Sequence, residues 1–587
     1  MANRELAKIF NEIALYFEMD GAPFKPQAYE KAAINLETLS EDVKDIYKKG
    51  GREALEEIPG VGKNIADKVI EYIKVGRIKE YEKLKKKTPV SIDELISVEG
   101  IGPKGVSYLY KKLKIKNLKD LERAAKAGKI RNLPNFGKKK EQNILEGIEF
   151  VKRSKGRFLL GEILPKVQEI ISELKKLKEI KQISEAGSVR RRKETIGDVD
   201  ILITSPNPKK VIDYFTVMPG VVKIWGKGPT KASVRLSVGV GIDVDLRVLP
   251  NSQFGSALQY FTGSKEHNII LRKIAIDKGL KLNEYGLFRG PKMIAGRTEK
   301  EVYAALKMDY IEPELRENQG EIEAALRQAR GKPNGLPKII GYKDILGDLH
   351  CHSNWDGGNN SIEEMAKTAQ KMGYQYIGIA DHTKFLRIEN GLNEKQLIER
   401  NKEIDKINKK FQASGSKFQV LKGCEANIMA DGSIDIDDKV LAQMDFVIAG
   451  VHSQMKMLKV QMTKRIIRAM KNPNVDIISH PTGRILKKRD EYEIDFDELL
   501  KIVKETGTIL EINAFPVRLD LNDVHIKKAK QAGVKMVINT DAHKKEHLRF
   551  IEYGISQARR GWAEKRDVIN TFSVDKLLNS LKSSNKS

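Results

Sequence analysis

The sequence predicts a multidomain chain of α and α/β class. A helical N-terminal part is followed by a central part on a mixed sheet and a C-terminal parallel barrel. Three observations carry this. Up to about residue 150, apolar residues recur at three and four, as in "LAKIFNEIALYF", which is the helical period. From Ile183 the period becomes that of strands, in "VDILIT", "SVRLSVGV" and "IDVDLRVL". After "RGKPNGLPK" (330–338), a stretch with Gly and Pro but no apolar period, apolar runs alternate with helical segments.

Composition narrows the class. The chain has 587 residues, which suggests about three or four domains. Its formal net charge is +26, which favours a polyanionic partner, nucleic acid before membrane. No run of about 18 apolar residues exists, so no membrane span is expected. The opening "MANRELAKIFNEIALYF" carries charges inside its apolar pattern and reads as an amphipathic helix, not a signal peptide. Cys351 and Cys424 are the two cysteines, so no disulfide framework is expected and the chain reads as intracellular.

In the N-terminal part, "EIPGVGKNIADKVIEYI" (57–73) and "SVEGIGPKGVSYLYKKL" (97–113) have the form helix, Gly-x-Gly, helix. Gly60, Gly62, Gly100 and Gly102 allow tight turns that aim backbone amides at a phosphate near a helix N-terminus. A weaker third copy is "NLPNFGKKKEQNI" (132–144). Such helix-hairpin-helix repeats grip DNA by its backbone, without reading sequence.

In the central part, "GSVRRRKETIGDVDILI" (187–203) leads through a basic loop to Asp198 and Asp200. Residues i and i+2 of a strand face the same side, and two carboxylates there suit Mg²⁺ with substrate phosphates. Asp243 and Asp245 form a second such pair on a strand that could lie alongside. Ser188 and Arg191 offer a hydroxyl and a forked cation for phosphates.

In the C-terminal part seven apolar runs end in or lead to polar residues. "ILGDLH" ends in His350, with His352 next. "YIGIAD" runs into Asp381 and His382, and "FQVLKG" into Glu425. "FVIAGV" is followed by His452, and "VDIISH" ends in His480. "TILEIN" contains Glu511 and Asn513, and "KMVINT" runs into Asp541 and His543. Six of the nine histidines thus stand at one rim of a barrel of roughly 250 residues, where this class builds its site. Mixed imidazole and carboxylate ligation suits Zn, Mn or Fe better than Mg alone. Two or three clustered ions fit phosphoester hydrolysis.

The order His-x-His, Asp-His, Glu, His, His, Asp-x-His over 346–545 resembles the polymerase and histidinol phosphatase (PHP) domain family. The resemblance implies a distorted seven-stranded barrel holding two or three ions, Mn²⁺ and/or Zn²⁺, on His350, His352, His382, Glu425, His452, His480, Asp541 and His543. It implies a 3′→5′ exonuclease, with abasic-site incision and phosphomonoester removal as further activities. In the family, an Asp ligand follows the His-x-His pair at a position that falls here on Gly357. Asp356 comes one residue early: either a local backbone shift brings it to the metal, or one ligand is missing.

Residues 1–320 resemble DNA polymerase family X, the polymerase beta group, with its nucleotidyltransferase palm; the combination with a PHP domain is the prokaryotic type. Asp198, Asp200 and Asp245 match the three acids that hold Mg²⁺ or Mn²⁺, with "DLRVLP" carrying the third. Gly187, Ser188, Arg191 and Gly197 match the triphosphate site. "YFTGSKEHN" (260–268) matches the nucleotide pocket, with Tyr260, Phe261, Gly263 and Asn268. Lys68 matches a Schiff-base lysine that removes 5′-deoxyribose phosphate, and Lys25 and Tyr29 match its neighbours, while Glu80 stands where the relative has a basic residue. The surface-lysine reading of Lys68 stays equally open.

The resemblance implies a cytoplasmic, nucleoid-associated monomer that uses deoxynucleoside triphosphates to fill gaps in DNA during base excision repair. A template-independent nucleotidyltransferase with a phosphatase domain is the alternative. The domains expected are 1–85 (DNA-binding, with possible lyase), 86–155 (helix-hairpin-helix fingers), 156–250 (palm), 251–328 (nucleotide pocket and thumb), a linker at 329–340, and 341–587 (PHP).

Overall fold

The computed structural model describes residues 2–22, 25–38, 42–58, 60–96, 98, 101–134, 136–154, 157–237, 241–487 and 489–581. Its N-terminal helices surround two cores. One gathers helices Ala2–Asp20, Lys25–Thr38, Val43–Glu56 and Lys63–Val75. The other gathers Pro103–Leu113, Leu118–Lys126 and Gly137–Ser154. Tyr16 and Met19 of the first helix are buried in the second core, so one amphipathic helix serves both. Among the described residues, no helix is long and apolar enough to cross a membrane.

The central sheet has five strands: β1 (Gln182–Glu185), β2 (Val199–Thr204), β3 (Val221–Lys227), β4 (Lys231–Leu236) and β5 (Ile242–Leu249). Their order is β1-β2-β5-β4-β3. The β2–β5 pair is parallel and the other pairs are antiparallel, so the sheet is mixed as the sequence predicts. Beyond it, β6 (Lys281–Asn283), β7 (Gly286–Arg289) and β8 (Lys292–Ala295) form a small antiparallel sheet. Helix Glu299–Ala305 packs with it around Tyr303 and Leu287.

A buried ion triad ties this thumb-like part to the palm. Glu299 accepts from Arg190 at 2.6 and 2.9 Å and from the fully buried Arg316 at 2.6 Å. Burial alone would raise the Glu299 carboxyl, but Arg316 and Arg190 outweigh it and hold it at about 2. Its stabilising contribution is therefore present above the ordinary carboxylate range and lost as pH falls towards about 2. Glu299→Ala leaves two arginines short of a partner. It should cost about 3–5 kcal/mol, read by denaturant unfolding at neutral pH.

The C-terminal strands are β9 (Gly347–Cys351), β10 (Tyr376–Ile379), β11 (Gln419–Lys422), β12 (Glu425–Asn427), β13 (Ile448–Gly450), β14 (Ile477–Ile478), β15 (Ile509–Asn513) and β16 (Met536–Asn539). All neighbouring pairs are parallel. Two features differ from a closed seven-stranded barrel. The third predicted run is split into β11 and β12 at Gly423 and Cys424. A Cβ on Gly423 would lie 2.1 Å from the Phe446 ring, so the ring occupies the space at the break. The strands also form two sheets, β9-β10-β11 and β12 to β16. Single bridges join them, Cys351 to Ala542 and His382 to Glu425.

Inside the barrel, Leu349, Tyr376, Leu421, Phe446, Ile448, Ile477, Ile509 and Val537 share one core, and the surrounding helices cover a second. The barrel is not a tethered module. Its Leu519 and Tyr553 are buried in the palm core, and Trp562 packs on the thumb core. Arg559 meets Glu314 at 2.8 Å, and Arg484 pairs with Glu194. The predicted linker ends docked, with Ile340 buried and its amide on the Ala563 carbonyl at 2.9 Å.

Candidate active sites

Glu425 opens β12 and stands at the centre of the barrel rim. His350, His382, His452 and His480 each place a ring nitrogen 2.9 to 3.3 Å from its oxygens, and His352 is at 3.9 Å. Asp541, just after β16, lies 3.4 Å from His352, 3.7 Å from His350 and 3.7 Å from His543. All of these side chains except His452 and His543 are fully or almost fully buried. Groups close enough to share one ion are His352/His382/His543, His350/His352/Asp541, His382/Glu425/His452 and His352/Asp356/Asp381.

The donor set fits divalent cations. His350 Nε2, His352 Nε2, His382 Nδ1 and His452 Nε2 are buried without a hydrogen-bond partner, although each faces a carboxylate. Buried polar atoms are rarely left so, and neutral imidazole with carboxylate is a metal donor set. Burial would raise Glu425, but His350 and His452 hold it well below the usual carboxylate range, so it offers a charged oxygen donor.

The opposite ring nitrogens are held in place. His350 Nδ1 bonds Glu511, His352 Nδ1 bonds Asp356 and His452 Nδ1 bonds Asn427, each at 2.7 Å. Such partners fix the orientation of ligating rings. Asp356 is thus placed behind His352. Its carboxylate also accepts from the His382 amide at 2.8 Å and the Gly358 amide at 3.0 Å. The one-residue offset thus leaves Asp356 against the His352 ring, in a group with Asp381 close enough to share an ion. A Cβ on Gly357 would meet the Glu389 carboxylate end at 2.3 Å and would turn that side chain aside. Asp356→Ala should keep bound metal by elemental analysis and slow barrel hydrolysis about 10- to 100-fold.

Sequence reasoning passed over several groups here. Glu511 was seen at a strand end but given no role. Asp381 faces inward to the Ser353 amide and the buried Arg400, at 2.6 and 3.1 Å. Arg518 lies 3.4 Å from Asp541, and nothing in its sequence surroundings signals that. The remaining histidines serve packing. His267 is buried between Glu321 and Tyr303, and His525 and His547 pack on phenylalanines.

In the palm, the parallel register sets Asp200 of β2 directly beside Asp245 of β5, with Asp198 just ahead of β2. Burial and the neighbouring Asp245 raise the Asp198 carboxyl, as expected where acids converge without a cation. Asp245 is drawn to Lys231 at 3.1 Å and accepts from Ser233 at 2.5 Å. Lys231, almost fully buried on β4, was not anticipated. Asp243 is committed elsewhere: it takes two bonds from Arg235, at 2.8 and 3.0 Å, and one from Trp225 at 2.8 Å. The extra carboxylate is therefore a brace between strands.

Gly187 sits at φ +61°, and a Cβ on it would lie 2.8 Å from an Asp200 carboxylate oxygen. Both the backbone and the close approach require glycine. Gly187→Ala should lower incorporation at least about tenfold by displacing Asp200, measured by primer extension. Ser188 lies in the short helical turn Gly187–Arg190. Gly197 leaves room for Arg157, whose guanidinium would be 3.2 Å from a Cβ. Tyr260 and Phe261 meet edge to face at 5.2 Å. Asn268 bonds the Tyr260 carbonyl at 2.7 Å and Gln259 at 2.6 Å. Gly263, at φ +72°, packs beside Arg191.

At the N-terminal end, Lys68 Nζ pairs with Glu80 at 2.9 Å, and the Tyr29 hydroxyl donates to the same oxygen at 2.6 Å. Burial would raise Glu80, but Tyr29, Lys68 and Lys25 lower it. A lysine nucleophile must be neutral, and here Lys68 stands in an ion pair with Glu80. Lys25 covers the Phe17 ring at 4.7 Å. Gly62 and Gly102 cap helices Lys63–Val75 and Pro103–Leu113, Gly60 takes φ +85°, and Gly100 lies outside the described residues.

Comparisons with known proteins agree with this layout. Family models match as follows: "Helix-hairpin-helix domain" over 1–78, "SAM-like Helix-hairpin-helix tandem" over 92–149, "DNA polymerase beta palm" over 161–227, "DNA polymerase beta thumb" over 257–317 and "PHP domain" over 348–515. A protein of Bacillus subtilis (strain 168) described as "DNA polymerase/3'-5' exonuclease PolX" is 37% identical over 577 residues, 98% of each chain. Shorter relatives, matched over about a third of this chain, are described as "Probable phosphatase". That of Thermoanaerobacter sp. (strain X514) is 31% identical over 38% of this chain and 89% of its own. That of Caldicellulosiruptor saccharolyticus is 33% identical over 34% of this chain and 81% of its own. With palm, thumb and barrel matched in order and a relative aligned from end to end, the chain belongs to the polymerase beta-like family X DNA polymerases that carry a C-terminal PHP domain.

Proposed function

We propose that the protein fills short gaps in DNA from deoxynucleoside triphosphates and trims DNA 3′ ends in the same chain. The observation that carries this is the pairing of Asp200 with Asp245 across β2 and β5 in a chain that also holds the buried histidine ring around Glu425. Asp198, Asp200 and Asp245 would hold Mg²⁺ or Mn²⁺. The barrel residues would hold two or three ions, Mn²⁺ and/or Zn²⁺. When bound, such ions neutralise phosphoryl oxygens and supply a nucleophile at neutral pH.

The chain's own residues do the rest. Gly187, Ser188 and Arg191 bind and orient the triphosphate, and Tyr260 and Phe261 bound the sugar edge. Asp356, Glu511 and Asn427 fix the histidine rings. The capped turns at Gly62 and Gly102 hold duplex backbone, supported by the net charge of +26. The palm acids and the histidines around Glu425 all come from this one chain, which supports a monomer. A cytoplasmic, nucleoid-bound location follows from a DNA substrate.

A 5′-labelled primer on a gapped duplex tests the reading. With nucleotides present, extension by the gap length is expected, and without them, shortening. A wild-type protein that does neither with Mg²⁺ or Mn²⁺ sinks it. The shorter relatives described as probable phosphatases favour a second activity for the barrel, removal of a 3′-phosphate. Release of inorganic phosphate from a 3′-phosphorylated primer measures it.

A further inference from the structure

A line of charged side chains runs from the barrel to the expected triphosphate arginine. Asp523, on helix Asp523–Gln531, accepts from Nη2 of Arg560. Arg560 ends helix Ile551–Arg560 and is 3% exposed. Its Nη1 donates to Glu317 at 3.0 Å and to the Arg191 carbonyl at 2.9 Å. The same Glu317 oxygen accepts from Arg191 Nε at 3.0 Å, and Arg191 Nη1 donates to the Thr262 carbonyl. Two nitrogens of the Arg191 guanidinium are thereby fixed, while Nη2 donates to no other described residue. The barrel residue Arg560 grips Arg191 twice, through its backbone carbonyl and through the shared carboxylate.

The arrangement answers a physical problem. A phosphate-binding arginine needs its long side chain held in place, yet a carboxylate that holds it competes with the phosphate. Here Glu317 is shared among Arg191, Arg560 and Lys193, the last at 3.8 Å. Three cations stand against the two carboxylates Glu317 and Asp523, which still leaves one positive charge for an anion. Without Arg560, Glu317 would pair more exclusively with Arg191, and the turn carrying Arg191 would lose a carbonyl anchor.

We propose that Arg560, backed by Asp523, is a positioning residue for nucleotide binding, so that the barrel domain holds the triphosphate arginine of the polymerase palm. This rests on the reading that Arg191 meets the triphosphate. The test is single-nucleotide gap filling on the full chain with nucleotide titrated, and trimming as the control for an intact barrel. Arg560→Met should raise KM for the nucleotide about tenfold with kcat within about twofold, and Asp523→Asn about threefold. Trimming should stay within about twofold for both, since neither residue touches the histidine ring. On an Arg191→Ala background, Arg560→Met should add nothing further to KM.

Unchanged KM in both barrel variants overturns the proposal. So does a joint fall of kcat, trimming and thermal stability, which is the mark of a purely structural ion pair. If Arg560→Met does not fold, the isosteric Asp523→Asn decides alone. If Arg191→Ala itself leaves KM unchanged, the nucleotide-site reading fails and this inference with it. If Arg191→Ala raises KM and the barrel variants do not, this inference alone fails.

Discussion

Asp198→Ala/Asp200→Ala will lower nucleotide incorporation about 10³-fold or more, because several kcal/mol of transition-state stabilisation, at about 1.4 kcal/mol per tenfold, depends on these carboxylates. Single-nucleotide extension of a gapped primer measures the loss. The variant should fold at least as well as the parent. Burial and Asp245 already raise the Asp198 carboxyl, so removing the two acids relieves repulsion beside Asp245. Active sites commonly carry this kind of conflict between stability and function. Equal or higher thermal stability with incorporation lost therefore separates a catalytic role from a structural one. A variant that incorporates at the parent rate would remove β2 from the reaction.

Glu425→Gln will have the second large effect. The carboxylate lies within 3.9 Å of His350, His352, His382, His452 and His480, so it sits where ligand spheres would meet. The amide keeps the shape but not the charge. Loss of at least one bound ion per chain is expected by elemental analysis. Trimming should fall about 10³-fold, several kcal/mol of charge stabilisation being removed. Incorporation should stay near the parent rate. Unchanged metal content and trimming in the folded variant would place the barrel's chemistry elsewhere.

Periodicity and spacing made much of this visible before any coordinates. The i, i+2 spacing of Asp198 and Asp200 points to one face of a strand; the strand begins at Val199, with Asp198 just ahead of it, and its parallel partner sets Asp245 beside Asp200. Parallel strands that carry His350, His382 and His480 at their C-terminal ends must gather them at one rim. These are consequences of backbone geometry, which local sequence reports well.

What stayed hidden depends on contacts between distant residues. Asp356 is four residues from His352, and its contact with the Nδ1 of that ring depends on the fold of the loop between them. The pairing of Lys231 with Asp245, and of Arg235 with Asp243, needs the β4–β5 register. The split of the third run needs the Phe446 ring, supplied from 23 residues beyond Gly423. Leu519 and Tyr553 look like ordinary barrel residues, and their place in the palm core has no local signal. For that reason domain bounds read from the sequence do not reveal that palm and barrel residues share a core.

The central claim is that two independent phosphoryl-transfer centres share one chain. It is tested most directly by running both assays on the same gapped, labelled substrate with Asp198→Ala/Asp200→Ala and His350→Ala/His352→Ala. The two centres use no residue in common, so the losses should cross: the first variant still trims and no longer extends, and the second still extends and no longer trims. A single variant that abolishes both activities while remaining folded, or a histidine variant that trims as the parent does, would contradict the account.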